Sequence, residues 1–196
     1  LPSTITAIED NAFQGCKELT SVVIPEGVTS IGKFAFDTCE KLTSVVIPDS
    51  VTTIEQSAFV RCMVLQSITI PNSVTTIGMA AFWWCTSLES IDIPDSVNTI
   101  EQMAFGVCTS LKSVTLPKNL ERIRLRCFMH TGLEIVTIPA SVKAIKADAF
   151  STCEKLDNIC FAGTTEQWQQ IALEDSWCNS NTPAKVVHCT DGDVEI

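Results

Sequence analysis

The chain has 196 residues, a formal net charge of −10 and a hydrophobic content of 45%, which is enough apolar material for a sizeable core. The acidic balance argues against nucleic-acid binding, which requires a basic face, and against an anionic membrane surface, while it favours partners with basic patches. No apolar run approaches the length of about 18 residues that a membrane-spanning segment needs, so the sequence predicts no such span.

The first feature in chain order is a repeat that begins near Leu1 and recurs every 23 residues. Its prolines mark the period at Pro2, Pro25, Pro48, Pro71, Pro94, Pro117 and, after a copy shortened by one residue, Pro139. Residues 1–16 end an incomplete first copy, and residues 17–131 hold near-regular copies. Because Leu1 aligns with the strand residue Ile24 and no initiator Met is present, we expect further repeats or a signal sequence upstream.

Each copy carries small or apolar residues at eight recurring positions, which is typical of a solenoid whose copies stack into one core. The V-x-I segment alternates and is β-branched, so it is predicted to be the strand, and the following proline ends its ladder. The Ile31, Ala35, Phe36, Cys39 and Leu42 spacing is closer to a helical one. It predicts at most a turn or two of helix or 3₁₀ on the side opposite the strands.

Six of the ten cysteines occupy one inward position per copy: Cys16, Cys39, Cys62, Cys85, Cys108 and Cys153. A free cysteine behaves as a small hydrophobe there, and side chains in register point the same way rather than at each other. The pattern therefore predicts free thiols. Three other cysteines do not occupy this repeated position, and the sequence leaves undecided whether two of them form a disulfide: Cys160, Cys178 and Cys189.

The consensus L-x-x-V-x-I-P-x-x-V-x-x-I-x-x-x-A-F-x-x-C over residues 1–161 resembles the leucine-rich repeat of BspA-like bacterial surface proteins, a class also found in treponemal repeat proteins. The resemblance implies a leucine-rich repeat right-handed solenoid, or horseshoe, with a parallel β-sheet on the concave side and short helical or 3₁₀ turns and loops opposite. It also implies a non-catalytic adhesion or protein-interaction module of a secreted or cell-surface protein, with host extracellular-matrix proteins as candidate partners. The alternative is a structural spacer with no ligand of its own.

The tail, residues 162–196, lacks the repeat and is predicted to form a C-terminal cap, because a solenoid needs an atypical unit to cover its exposed end. Thr164 and Gln167 predict a capping box at the start of a short helix. One apolar face of that helix is expected to consist of Trp168, Ile171 and Ala172. A final strand is predicted from Ala184 to Cys189.

Residues with catalytic or ligand-binding chemistry are few. His130 falls in a variable loop position and His188 in the predicted final strand, and neither has an identifiable partner, so no catalytic, cofactor or metal site is predicted. Asp191-Gly192-Asp193 lacks the other ligands of a calcium loop and is interpreted as a turn. Three alternating arginines are interpreted as a solvated face, with a small anion-binding patch as the alternative: Arg122, Arg124 and Arg126.

Trp83 and Trp84 are the main candidate partner-binding residues. In the other copies this pair of positions holds mostly small, polar or β-branched residues, so it is not a core position, and Trp is enriched in binding anchors. Phe34 and Met103 lie in nearby variable positions and extend the predicted apolar patch. Such a patch would serve a protein partner or self-association. The alternative is that one indole packs over the neighbouring loops.

Overall fold

The structure, a computed structural model, describes residues 1–179 and 181–196. Over these residues the secondary structure consists of short strands and one five-residue helix, α1 (Thr165–Gln169). The strands are β1 (Ser21–Val23), β2 (Ser30–Ile31), β3 (Ser44–Val46), β4 (Thr53–Ile54), β5 (Thr76–Ile77), β6 (Ser90–Asp92), β7 (Thr99–Ile100), β8 (Ser113–Thr115), β9 (Arg122–Ile123), β10 (Ile135–Ile138), β11 (Ala144–Ile145), β12 (Asn158–Phe161), β13 (Ala172–Leu173), β14 (Val186–Cys189) and β15 (Gly192–Glu195).

The V-x-I segments stack into a first parallel ladder, as the alternation predicts. β1 pairs with β3, β6 with β8, and β12 with both β10 and β14. The register joins residues one repeat apart, as in Val22 with Val45. In the three-residue strands the middle side chain is buried and its two neighbours are exposed. Residues 67–69 keep this burial pattern around Ile68 without ladder pairing.

A second parallel ladder, which the sequence interpretation did not include, follows the proline of each copy. β2, β4, β5 and β7 form one continuous sheet, and β9, β11 and β13 form another. Register again joins equivalent residues, as in Ile31 with Ile54. Each of these strands has only two residues, so it is too short to show the alternation that identifies a strand in a sequence. The fold is therefore a parallel β-solenoid with two ladders, in which successive coils are one repeat long.

The segment with helical spacing forms turns instead of a helix. The amides of Ala35 and Asp37 donate to the carbonyl three residues earlier, whereas those of Phe34, Phe36 and Thr38 donate to the next coil. An α-helix would keep all of these hydrogen bonds within the segment. The alternation instead uses half of the amides to close the turn and half to join neighbouring coils, which makes this corner a third line of contact between coils.

This arrangement places two residues of each turn, four apart, in the left-handed region of the backbone. Phe34 has a φ of 55° and Thr38 a φ of 59°, and the same two positions recur along the chain. The later turns repeat them at Ser57 and Arg61, Ala80 and Trp84, Met103 and Val107, Arg126 and His130, and Asp148 and Thr152. Side chains other than Gly and Asn are strained there, and a β-branched one most of all.

Replacing Val107 by Asn should therefore raise stability. Val107 combines a φ of 60° with a β-branched side chain, and Asn tolerates that conformation better. We expect a gain of about 1 kcal/mol, measured by urea unfolding. Val64→Asn is the matched control because Val64 is exposed and outside these positions, and it should stay within about 0.5 kcal/mol of the original. Destabilisation by Val107→Asn would contradict this account of the turns.

Seven phenylalanines form one file through the core, and this confirms the predicted stacking of equivalent residues. Neighbouring rings are almost parallel, with centroids 5.1 to 5.5 Å apart and interplanar angles of 2° to 8°. The file consists of Phe13, Phe36, Phe59, Phe82, Phe105, Phe128 and Phe150. Rings from Phe36 onward are fully buried. The core is thus continuous from coil to coil rather than divided.

Residues 162–196 continue both ladders, and the file of stacked phenylalanine rings ends against them. β13 pairs with β11, β14 pairs with β12, and β15 turns back antiparallel to β14. Trp177 meets Phe150 edge-on with ring centroids 6.3 Å apart, and Trp168 meets Trp177 at 5.8 Å. The parallel stacking of rings therefore ends in an edge-on aromatic cluster.

The predicted capping box is present, whereas two element bounds in this tail differ from the prediction. The Thr164 hydroxyl accepts from the Gln167 amide, and the Gln167 side chain accepts from the Thr164 amide. The helix ends at Gln169, so Ile171 lies beyond it and Ala172 belongs to β13 instead. At Ala172, the parallel pairing of β13 with β11 takes the place of the helix that the apolar spacing predicts. The predicted last strand begins at Val186, and β15 follows it.

Candidate interaction surface

Trp83 and Trp84 follow Phe82 in the same turn but have different environments. Trp83 is half-buried, and its ring lies over the backbone of Gly106 in the next coil. A Cβ atom at position 106 would fall 2.1 Å from Cζ3 of that ring. Glycine thus provides the space that the indole occupies, and the packing alternative holds for Trp83. Trp84, in contrast, is 42% exposed and is the member of the pair that solvent or a partner reaches.

The other two predicted partner-binding residues do not form one cluster with Trp84. Phe34 and Met103 both occupy the first left-handed position of their turns, with φ values of 55° and 62°, and both are half-buried. Met103 lies in the coil next to that of Trp84, whereas Phe34 lies two coils away on the other side. The structure therefore places Met103 nearer to Trp84 and Phe34 apart from it.

Charged side chains lie close to this surface and are largely paired. Arg61 occupies the position of Trp84 one coil earlier and lies 4.0 Å from the buried carboxylate of Asp37. Asp37 also accepts hydrogen bonds from Gln14 and Thr38. Of the alternating arginines, Arg124 pairs with Glu101 at 3.4 Å and Arg126 pairs with Asp148 at 3.2 Å. These pairs support the interpretation of a solvated charged face over an anion site.

The structure has all ten cysteines unpaired, as predicted for the six of the repeat, but the inward prediction is wrong for Cys16, which has a neighbouring coil on one side only and is exposed. The thiols of Cys62, Cys85 and Cys108 each donate to a phenylalanine carbonyl of the previous coil at 3.2 Å. Burial raises the pKa of Cys39 to about 11 and that of Cys108 to about 12. These sulfur atoms are therefore neutral packing groups, without the thiolate that reactivity requires.

Stability should fall at alkaline pH because of these thiols. A thiol whose pKa is higher in the folded state binds its proton more tightly there, so its contribution is complete below pH 9 and is lost as the pH rises towards 12. The chain has no tyrosine that would titrate in the same range. We expect the Tm to fall between pH 9 and 11, and to fall less in Cys108→Ala, in which one such group is removed. A Tm that is constant over this range would contradict the burial of the thiols.

The two histidines have different surroundings. The sequence predicts no partner for either of them, whereas the structure gives His188 one, Asp193. The amide of His130 donates to the Ser151 carbonyl, and its ring is exposed. His188 faces outward on β14, with its Nδ1 2.9 Å from a carboxylate oxygen of Asp193 on β15. Sequence reasoning missed this pair because the hairpin that joins the two strands was interpreted as a terminal turn. Asp191 accepts a hydrogen bond from the Thr165 amide, which ties this hairpin to α1.

Neither a metal centre nor a membrane-spanning helix is present in residues 1–179 and 181–196. These residues contain no cluster of three or more His, Cys, Asp and Glu side chains suited to a metal ion. Within the same residues there is also no helix of the length and apolar character that crossing a bilayer requires. The candidate interaction surface therefore consists of the exposed Trp84 and the outward residues of the first ladder.

Comparison with known proteins relates this solenoid to bacterial repeat proteins. A leucine-rich repeat protein from Bacteroides ovatus is 35% identical with a TM-score of 0.75, over 81% of this chain and 43% of its own length. The Treponema pallidum leucine-rich repeat protein is 32% identical with a TM-score of 0.70, over 74% of this chain and 70% of its own. A leucine-rich cell surface protein from Faecalibacterium prausnitzii is 26% identical with a TM-score of 0.51, over 84% and 65% respectively.

The chain thus spans less than half the length of the Bacteroides ovatus protein that it matches. Comparison with curated proteins gave no significant match. The family model described as the BspA type leucine-rich repeat region, in six copies, matches residues 1–85 and 75–185. These matches and the two-ladder solenoid lead to one conclusion. The chain belongs to the BspA-type leucine-rich repeat family.

Proposed function

We propose that this chain is a non-catalytic protein-interaction module that serves adhesion in a bacterial cell-surface or secreted protein. The observation that carries the proposal is the exposed indole of Trp84, in a turn whose Trp84 amide donates to the Gly106 carbonyl of the next coil at 3.1 Å. Buried aromatic anchors dominate binding energy at protein interfaces, and a fixed one loses little entropy on binding. Here the hydrogen bond from the Trp84 amide to the next coil and the packing of Trp83 on Gly106 hold the backbone of that turn in place.

A surface location is supported by the Faecalibacterium prausnitzii relative, which is described as a cell surface protein. The charge of the chain indicates the kind of partner. With a net charge of −10, association is fastest with a protein that presents basic patches around an apolar pocket. Host extracellular-matrix proteins are the partner class that we propose for an adhesion module of this family.

Trp84→Ser should abolish or strongly weaken partner binding without unfolding the chain. Loss of an anchor of this kind costs about 2 kcal/mol or more of binding free energy, a fall in affinity of about thirtyfold. We would measure binding to immobilised matrix proteins, with Thr38→Ser as a control in the equivalent position of a distant turn. The Tm serves as a fold check and should be unchanged. Trp83 is left intact because it packs on Gly106.

Three results would contradict the proposal in different ways. Equal matrix binding by the original and by Trp84→Ser would exclude Trp84 as the anchor. Absence of binding to all matrix proteins, together with a monomeric chain, would favour a spacer role. Concentration-dependent dimers that Trp84→Ser disrupts would instead identify self-association through this surface.

We further propose that residues 1–161 form the repeat solenoid and that residues 162–196 form its C-terminal cap. The edge-on aromatic cluster of Phe150, Trp177 and Trp168 supports the proposal because it covers the end of the phenylalanine file with side chains that cannot continue it. A covered end keeps the apolar face of the last coil from solvent, which repeat proteins require.

A further inference from the structure

Three side chains of chemical interest lie in one row on three neighbouring strands near the C-terminal end. Cys160 on β12 is in register with His188 on β14, and His188 is in register with Asp193 on β15. Neighbouring strands lie about 4.8 Å apart, and residues in register share a face. Ile159 and Val187 are buried on the opposite face, so the row of Cys160, His188 and Asp193 faces outward.

The hydrogen bond within this row determines which imidazole nitrogen is free. Nδ1 of His188 is 2.9 Å from Oδ1 of Asp193. An ionised carboxylate only accepts hydrogen bonds, so Nδ1 carries the proton and Nε2 keeps its lone pair. Asp193 thereby fixes the tautomer in which His188 accepts a proton through Nε2. Cys160, in register with His188 on the next strand, is the neighbouring residue whose thiol has a proton to give.

Accessibility distinguishes Cys160 from the cysteines of the core. Six cysteines are buried, whereas Cys160 is partly exposed on a surface that carries a base. Reactive cysteines combine such exposure with a neighbouring group that accepts the thiol proton, and buried structural ones are inert. Cys16 is exposed at the other end of the solenoid, at a position with no histidine in register, and it serves as an internal comparison.

We propose that Cys160 is a reactive thiol that undergoes exchange with small disulfides, with His188 as its base and Asp193 as the positioning residue. His188 Nε2 takes the proton of the Cys160 thiol, and the resulting thiolate attacks one sulfur of the disulfide. A new bond forms between Cys160 Sγ and that sulfur as the original S–S bond breaks. The displaced thiolate takes the proton back from His188. The product is a mixed disulfide on Cys160 and one free small thiol.

The charges around the row select the kind of disulfide. Asp193 and Glu195 lie on the same face of β15, and the neighbour of Cys160 on β10 is the uncharged Thr137. Together with the net charge of −10, these carboxylates repel anionic reagents. The site should therefore prefer a small cationic or neutral disulfide, such as cystamine, over glutathione disulfide, which is anionic.

The first test uses cystamine and the chain with Cys16→Ser, which removes the exposed thiol and leaves Cys178 and Cys189, partly exposed like Cys160, as internal comparisons. Intact-mass spectrometry should show one rapid adduct, and peptide mapping should place it on Cys160. Adding Cys160→Ser should abolish that rapid adduct. His188→Gln should slow it by about tenfold or more, the scale of a lost proton acceptor. Glutathione disulfide should react more slowly than cystamine, and added salt should reduce the difference.

The second test separates a base from a structural residue by the pH dependence of the reaction rate. Within the four described strands, the ionisable neighbours on the outward face of β15 are Asp193 and Glu195, and the outward neighbours on β10, β12 and β14 are the uncharged Ile135, Thr137, Asn158 and Val186. Asp193→Asn should lower the rate and change its pH profile, because the imidazole loses the carboxylate that sets its tautomer, whereas Glu195→Gln is the matched control with little effect on either. The proposal is overturned if Cys160 is not modified first, or if His188→Gln leaves both the rate and its pH profile unchanged.

Discussion

Phe82→Ala is expected to lower the free energy of unfolding by about 3–5 kcal/mol, the usual cost of removing a buried aromatic ring. The ring is fully buried and stacks between Phe59 and Phe105, with centroids 5.4 Å away on each side. Its loss leaves a cavity that neither neighbour can fill, because the backbone amides of Phe59 and Phe105 are hydrogen-bonded to the next coil. Urea unfolding measures the change.

The damage from Phe82→Ala should also be local at first. Contacts in a solenoid join only neighbouring coils, so stability is close to a sum over coils and interfaces. Hydrogen exchange should therefore increase first in the coils of Phe59, Phe82 and Phe105. Asp49→Asn is the control: Asp49 is exposed, and its change should stay within about 0.5 kcal/mol. A larger loss for Asp49→Asn than for Phe82→Ala would show that the inward and outward assignments are reversed.

Trp177→Ala should produce the second largest loss, again about 3–5 kcal/mol, but at the C-terminal end. Trp177 is 8% exposed and contacts both Phe150 and Trp168 through its ring. Its carbonyl also accepts a hydrogen bond from the Phe150 amide, continuing the turn contacts between coils. Removal of the ring opens the end of the file to water.

Hydrogen exchange distinguishes an end effect from a general one for Trp177→Ala. Amides after about residue 128 should lose protection before those of the Phe36 and Phe59 coils, because unfolding of a repeat array proceeds from an uncovered end. Trp84→Ser removes a residue of the same type from an exposed position, so it controls for the loss of an indole. If Trp177→Ala were as mild as Trp84→Ser, residues 162–196 would not act as a cap.

The repeat made the stack predictable from sequence. Most copies place a phenylalanine, a cysteine and a V-x-I segment at the same spacing, with Thr131 in the place of the cysteine in the shortened copy, and they agree on one register. A single V-x-I segment would be ambiguous, whereas repeated ones pair only when equivalent residues align. The first ladder, the file from Phe13 to Phe150 and the free thiols all follow from this agreement.

Features that depend on contacts between unlike residues were not predictable in the same way. The second ladder has strands of two residues, and the left-handed positions of Phe34 and Thr38 hold Asn and Gly in the first turn alone, at Asn11 and Gly15. The contact of Trp83 with Gly106 crosses to the next coil, where the sequence shows only an ordinary glycine. The row of Cys160 and His188 joins a repeat strand to the tail, where no period gives the register.

The register itself is tested most directly by nuclear Overhauser effects between individually labelled phenylalanine rings. Ring centroids of Phe36 and Phe59 are 5.2 Å apart, and those of Phe59 and Phe82 are 5.4 Å apart. Cross-peaks should therefore join Phe36 to Phe59 and Phe59 to Phe82, with none between Phe36 and Phe82. Absence of the two neighbouring cross-peaks in the folded chain would contradict the single file of rings on which the fold and the exposed surfaces depend.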